Sequence, residues 1–433
     1  MNFRRIARAL QHRNYRLFYG GQGISLIGTW MTRVATGWLV YRLTHSAFLL
    51  GLVSFSSQIP ILFLGPIAGV WVDRLNRHRV LLVTQILSMF QSFALAGLAL
   101  TGVITVVHII LLNLFQGAVN AFDMPARQAF VFEMVETRED LPNAIALNSS
   151  LVNAARLIGP SVAGLLIAAV GEGYCFLLDG ISYMAVIASL LAMSLVPWKP
   201  KPHASVLSEL REGWDYVRGF QPIWSILLLL SLVSLVGMPY TALMPIFAGS
   251  ILRGGAHTFG FLMGAVGVGA LIGAVTLAAR RTVLGLGRLL AITAAGFGAS
   301  LIAFSASHQL WLSLLLLIVT GFCFMQQMAS SNTVLQTIAE DEKRGRVMSF
   351  YAISFQGVAP FGSLIAGAVA ARIGAPYTLM AGGAICIAGA LIFASQLPAL
   401  RKLVHPIYVQ MGILPEIASG LNAASVLQQP PEE

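Results

Sequence analysis

Four charged residues, Arg33, Asp123, Arg156 and Asp179, stand inside long apolar runs, whereas most of the chain's other ions gather in short clusters between such runs. A charge placed among apolar residues is costly to keep from water, which makes it a functional candidate by default. A carboxylate in that setting takes up and releases a proton; a guanidinium holds an anion, caps freed backbone carbonyls or neutralises a carboxylate. Asp179 stands roughly 9 Å along a helix from the end of its run, and Arg33 stands at a similar depth in another. The two are expected to meet, either as a static pair holding two helices together or with Asp179 as a proton-binding carboxylate. Arg156 precedes Gly159-Pro160 by about one turn and has three readings: partner of freed carbonyls, partner of an anionic group on a bound molecule, or partner of Asp123.

A denser knot lies in Gly65-Pro-Ile-Ala-Gly-Val-Trp-Val-Asp-Arg-Leu-Asn-Arg-His-Arg-Val-Leu-Leu82. Its cations, Arg74, Arg77 and Arg79, suit a loop retained inside the cell, but acids add little to that bias, so Asp73 needs another explanation.

The elements that position these groups follow from composition. The 433 residues are 57% hydrophobic and 10% charged, with a mean hydropathy of +0.79, more apolar than a soluble core absorbs. Lipid offers bare amides no partner, so the runs are helices, and alternating strand patterns for a barrel are absent. Twelve spans are expected: 17–41, 47–72, 80–102, 106–127, 143–169, 173–196, 222–247, 256–279, 287–306, 309–331, 347–371 and 375–397. The fold class is therefore an all-α membrane protein of twelve transmembrane helices in two pseudo-symmetric six-helix bundles. Residues 1–16 read as an amphipathic cytoplasmic helix on the membrane surface, 17–196 and 222–397 as the bundles, 197–221 as a cytoplasmic linker and 398–433 as a cytoplasmic tail. Arginine and lysine crowd the connections on one side, with only Arg42, Arg253 and Arg372 on the other, which puts both termini in the cytoplasm of an inner-membrane protein.

The halves repeat. Gly65, Gly69 and Gly117 match Gly269, Gly273 and Gly321 at one common offset, and Gly159-Pro160 meets Ala359-Pro360 at a similar one. Repeated bundles are an arrangement of secondary transporters, with the substrate at the repeat interface.

The net charge of +10 is scattered over short loops, so nucleic acid is not an expected partner. Cys175, Cys323 and Cys386 lie far apart in apolar stretches without ligand spacing, and no metal and no cofactor are expected. Phosphate-loop, zinc-protease and nucleophile-elbow motifs are missing, so the chain does not read as an enzyme.

Gly69-x-x-x-Asp73-Arg74-x-Asn76-Arg77-x-Arg79 resembles the loop motif of the major facilitator superfamily. Asn76 replaces a family glycine, and a turn with positive φ is expected there, which asparagine tolerates. The resemblance implies a gate latch on the cytoplasmic side built from Gly69, Asp73, Arg74, Asn76 and Arg77, with Asp123 and Arg127 about one turn inside the end of the fourth span. Ala155, Gly159, Pro160 and Gly164 follow the spacing of the family's exporter motif, whose small residues would pack the fifth span on the eighth. Asn120-Ala-Phe-Asp-Met-Pro-Ala-Arg-Gln-Ala129 and Arg13-Asn-Tyr-Arg-Leu-Phe-Tyr-Gly-Gly-Gln22 resemble the branch containing the enterobactin exporter and macrolide efflux pumps. In this fold spans 1, 4, 7 and 10 line the cavity, which offers Gln22, Trp30, Arg33, Asn113, Gln116, Asn120, Tyr240, Gln326, Gln327, Ser330 and Asn332. The implied activity is export of a small organic molecule, a siderophore or drug, in exchange for protons by a monomer in the lipid bilayer. An uptake carrier or lysophospholipid translocator of the same fold is the alternative, and a non-transporting membrane scaffold a further one.

Overall fold

In the computed structural model, residues 8–135, 137–194, 206–280 and 282–413 are described, apart from the side chains of Pro66, Val70, Asp73, Arg138 and 206–211. The long helices are α1 (Arg13–Thr44), α2 (Ala47–Arg74), α3 (Arg77–Leu100), α4 (Val106–Met134), α5 (Leu141–Val170) and α6 (Glu172–Leu191) in the first half. The second half has α7 (Gln221–Ile251), α8 (Ala256–Ala278), α9 (Leu286–Ala306), α10 (Leu310–Ile338), α11 (Arg344–Ile373) and α12 (Ala375–Gln410). Eleven of them are long and apolar enough to cross a membrane. Only α1 falls short among the twelve, because Gln22 and Arg33 interrupt its apolar run. It nonetheless runs the length of α6: Gly21 lies against Ser189, Gly28 against Asp179 and Ser182, and Arg42 against Glu172. A helix laid end to end along a spanning helix crosses the same thickness.

Helix starts are set locally. The hydroxyl of Ser46 accepts from the Leu49 amide at 3.3 Å, Thr105 and His108 cap α4 reciprocally, and Asn76 caps α3 by accepting from the Arg79 amide at 3.2 Å. Asn76 has φ −68°, so the positive-φ turn expected there does not form. The side chain does the work as an N-cap, for which asparagine serves as well as it does in a left-handed turn.

Within each half the second helix packs on the fourth and the third on the sixth: α2 on α4, α3 on α6, α8 on α10, α9 on α12. Gly117 and Gly321 hold equivalent places, each pressing its helix onto a carbonyl of its neighbour, Ser57 and Val266. Two seams join the halves, α5 on α8 and α2 on α11, as a two-fold exchange would require. Both are closest at the end remote from the linker, the distal face. A Cβ added to Gly164 would lie 2.8 Å from the Gly260 Cα, and one added to Gly51 3.0 Å from the Gly367 Cα. Towards the opposite, linker face, Gly65 and Gly69 of α2 have no neighbour within 4 Å. The halves thus meet at the distal face and part towards the linker face.

The helix Val206–Gly219 forms part of the linker and docks on the second half. Glu212 pairs with Arg346 at 2.7 Å, Trp214 lies edge-on to Trp224, and Lys343 sits over the Tyr216 ring. At the other end, within the stretch expected as a surface helix, residues 8–11 form a 3-10 turn and Arg13–Arg16 already belong to α1. The Ala9 amide donates to Asn143 at 3.0 Å, and Tyr15 donates to the Ala144 carbonyl, fastening the turn to the start of α5. Residues 1–7, Glu136, 195–205, Arg281 and 414–433, which include much of the expected linker and tail, lie outside the described residues. The last helix runs past the expected boundary at 397 to Gln410.

Candidate functional site

Asp179 is buried in the first half between α1, α3 and α6. Its Oδ2 accepts from Thr32 at 2.8 Å and from Ser92 at 2.9 Å; its Oδ1 has no hydrogen-bond partner among the described residues. Gly28 makes the room, since a Cβ there would stand 2.7 Å from Oδ1. The expected Arg33–Asp179 pair is absent. Successive residues of a helix point about 100° apart, and Thr32 takes the direction facing α6. Arg33 is turned instead onto Trp30, three residues back on the same face. No cation reaches Asp179, which leaves a buried carboxylate held by hydroxyls alone.

Arg33 places its guanidinium carbon 4.7 Å from the Trp30 ring centroid, and Arg156, from α5, places its own at 5.3 Å. Gly159 lets α5 come against Trp30, because a Cβ there would lie 3.1 Å from the Ile27 carbonyl. Pro160 lacks the amide that would bond the Arg156 carbonyl. That carbonyl faces α8, where a Cβ on Gly267 would lie 3.2 Å away. The group therefore sits beside the α5–α8 seam. Asp123 does not serve Arg156: its Oδ1 accepts from Thr84 at 2.9 Å and Gln85 at 2.7 Å, and its Oδ2 pairs with Arg127 one turn on.

The charge knot is arranged differently from the expected latch. Arg77 donates to Glu133 at 2.8 Å, joining the start of α3 to the end of α4. Because α4 continues to Met134 rather than stopping near 127, Asp123 lies ten residues above Glu133, roughly 15 Å along the axis. An Arg77–Asp123 contact does not form here. Arg74 is exposed, Gly69 is uncovered, and the Asp73 side chain lies outside the described residues.

The small-residue motif divides its work. Gly164 approaches Gly260 and the Pro160 carbonyl lies against Gly260, both on α8 as expected, whereas Gly159 serves α1 and Ala155 is buried. Several amides expected to line a cavity instead tie helices together. Gln326 donates to Thr276 at 2.7 Å and to the Gly273 carbonyl, Gln327 accepts from Thr293 at 3.0 Å, and Gln116 donates to Ser88 and Asn120. Gln22 is buried along α1, Ser330 is buried, Asn332 accepts from Gln336, Tyr240 packs edge-on to Phe297, and Asn113 is half-buried. A buried amide in hydrocarbon satisfies itself with whatever helix is near, and residue type does not say which.

Sequence reasoning missed the closure at the distal face. The Tyr41 and Ser250 hydroxyls meet at 2.7 Å across the halves, Trp38 stacks on Phe259 with rings 25° apart, and Phe55 meets Phe361 edge-on. Nearby, Arg42 grips Glu172 with two bonds of 2.8 and 3.0 Å. That pair rims a cavity of about 510 Å³ that Trp38 and His257 also line. These are ordinary aromatics and hydroxyls at span ends, and no motif marks them.

Twelve helices in two exchangeable halves, parted on one face and sealed on the other, define a multi-pass membrane transporter of the major facilitator type. A family model described as transmembrane secretion effector matches residues 7–407, and the chain belongs to that family, whose members are transporters and not enzymes. It is 25% identical to the staphyloferrin A transporter of Staphylococcus aureus, over 88% of this chain and 96% of that one. It is 29% identical to the multidrug efflux pump Tap of Mycolicibacterium fortuitum (82% and 88%) and 26% to the enterobactin exporter EntS of Shigella boydii (88% and 90%). The fold is similar to that of a variant of the nucleoside transporter NupG, with TM-score 0.70 at 13% identity over 89% of this chain and 99% of that one. It is also similar to that of a bacterial homologue of the human lysosomal transporter Spinster in its inward-facing, unoccupied conformation, with TM-score 0.64 at 14% identity (91% and 98%).

Proposed function

We propose that this protein exports a small organic molecule, a siderophore or drug-like compound, across the cytoplasmic membrane in exchange for protons. The bundles 17–196 and 222–397 would rock about the α5–α8 and α2–α11 seams, with both termini and the linker in the cytoplasm. The state seen here is then open inward and shut outward. The names of relatives that export or efflux such compounds support the direction, and the excess of Arg and Lys on the linker face supports the orientation.

The observation that carries proton coupling is Asp179: a buried carboxylate without a counter-ion, one oxygen unpartnered, packed on α1 through Gly28 and Thr32. A charge so placed is costly and a bound proton removes it. Another face of the same stretch of α1 carries Trp30 and Arg33. Protonation at Asp179 and occupancy at Trp30 and Arg33 thus act on one element, which is what antiport requires. In the outward-open state the α2–α3 turn, with Gly69, Asp73, Arg74 and Arg77, covers the linker face that is uncovered here. Each chain holds a complete pair of halves, so a monomer suffices.

A growth panel of drug classes and iron-chelating siderophores tests the function. The deletion strain is expected to become sensitive to at least one compound or to retain its siderophore, and overexpression to do the reverse, with a protonophore erasing the difference. Deletion that lowers uptake of a compound would instead show an importer and overturn the proposal.

A further inference from the structure

Arg33 and Arg156 are two cations on one indole with no acid to balance them. Among the described residues neither has a hydrogen bond or ion pair, and the Arg156 Nε is buried without a partner. The two intramembrane carboxylates that could have neutralised them are turned away, Asp123 to Arg127, Thr84 and Gln85, and Asp179 to Thr32 and Ser92. Contact with an aromatic face steadies a guanidinium but leaves its charge and its forked donors unspent. Two like charges held together at mid-helix repel, and an anion shared between them removes that repulsion while filling both forks.

We infer that Arg33, Trp30 and Arg156 form the binding site for an acidic group, a carboxylate, carried by the transported organic molecule. The inference rests on the transport reading and names its substrate class. Placement agrees with use. Arg33 is exposed and Arg156 half-buried, so neither guanidinium is sealed into the packing. Arg156 sits on the seam helix α5, with its freed carbonyl against Gly267 of the other half. An anion drawing the two arginines together therefore pulls α1 and α5 of the first half towards one another beside the α5–α8 seam.

Equilibrium calorimetry on the full-length protein in phosphatidylcholine nanodiscs, without any gradient, tests this with three ligands of one shape: 2-naphthoate, 2-naphthamide and 2-(aminomethyl)naphthalene. Naphthoate is expected to bind about tenfold or more tighter than the amide, and the amine more weakly than either, as a charge-assisted contact of about 1.4 kcal/mol or more implies. Arg33→Gln and Arg156→Gln are each expected to abolish the preference for naphthoate over the amide, while Arg156→Lys retains part of it. Monodispersity on gel filtration establishes that the variants are folded. Equal binding of acid and amide by the wild type, or an unchanged preference in both glutamine variants, overturns the inference. Anionic lipid headgroups share the chemistry, so the measurement is repeated with phosphatidylglycerol in the disc. Loss of naphthoate binding there makes a lipid phosphate the occupant and overturns the substrate assignment. Because no proton gradient is involved, a failure here is distinct from a failure of antiport.

Discussion

At the scale of single residues, the direction of a side chain around its helix decides more than its depth in the sequence. Arg33 and Asp179 do stand at matching depths, yet Thr32 occupies the direction in which they would have met, and the arginine joins Arg156 on Trp30 instead. The four in-span charges stood out in the sequence by their cost in lipid; their partners did not, because a one-residue step turns a side chain by a quarter of the helix and more. Gly28, which admits the Asp179 carboxyl, left no trace among 42 glycines. Outside the spans, Asp140 is held below the usual carboxylate range by its hydrogen bond to His12, then by that to Thr137 and by the charge of Arg8. A carboxyl so depressed contributes stability that is present above its unfolded value of about 4 and is lost as pH falls through its folded value. The difference in thermal midpoint between wild type and Asp140→Asn is therefore expected to be full at neutral pH and to shrink below about pH 4. A difference that stays constant down to about pH 2.5, well below the unfolded value, would show that the carboxylate's charge contributes nothing to this contact.

At the scale of elements, helix number and order follow from run length and from lipid's refusal of bare amides, and the sequence pattern located each of the twelve long helices, eleven of them apolar enough to span. Ends were harder. The extension of α4 to Met134 moves Asp123 deep and puts Glu133 where Arg77 reaches it, since a helix that leaves the hydrocarbon need not stop there. The seams were half legible: Gly164 faces α8 as its motif implied, while Gly51, Gly260 and Gly367 are recognisable only once their helices are side by side. Placing a larger side chain at Gly260 presses on the Gly164 Cα at 2.8 Å and on the Pro160 carbonyl at 2.6 Å. Such overpacking costs about 1–3 kcal/mol in the distally sealed state, enough to shift a two-state balance roughly 5–150-fold. In a Tyr41→Cys background, Gly260→Val is expected to speed labelling of the introduced thiol by a membrane-impermeant maleimide applied from outside. Unchanged labelling in a monodisperse protein would show that this seam does not set the closure.

At the scale of the whole molecule, the repeated glycine offset announced two related halves, and the packing pairs α2 with α4 and α8 with α10 accordingly. The repeat is not uniform: Gly269 and Gly273 press on α10, but their counterparts Gly65 and Gly69 stand uncovered. No motif marks the distal contacts of Trp38, Tyr41, Ser250 and Phe259, which is why they went unseen. What joins these scales is α1, which has Asp179 behind it and Trp30 and Arg33 before it. The most direct test reconstitutes wild type and Asp179→Asn in proteoliposomes, using the compound that the growth panel selects. Under an imposed pH gradient the wild type is expected to accumulate it and the variant not, while both exchange it between equal pools at similar rates. Accumulation by Asp179→Asn at the wild-type level, under the same gradient, would contradict proton coupling through this carboxylate.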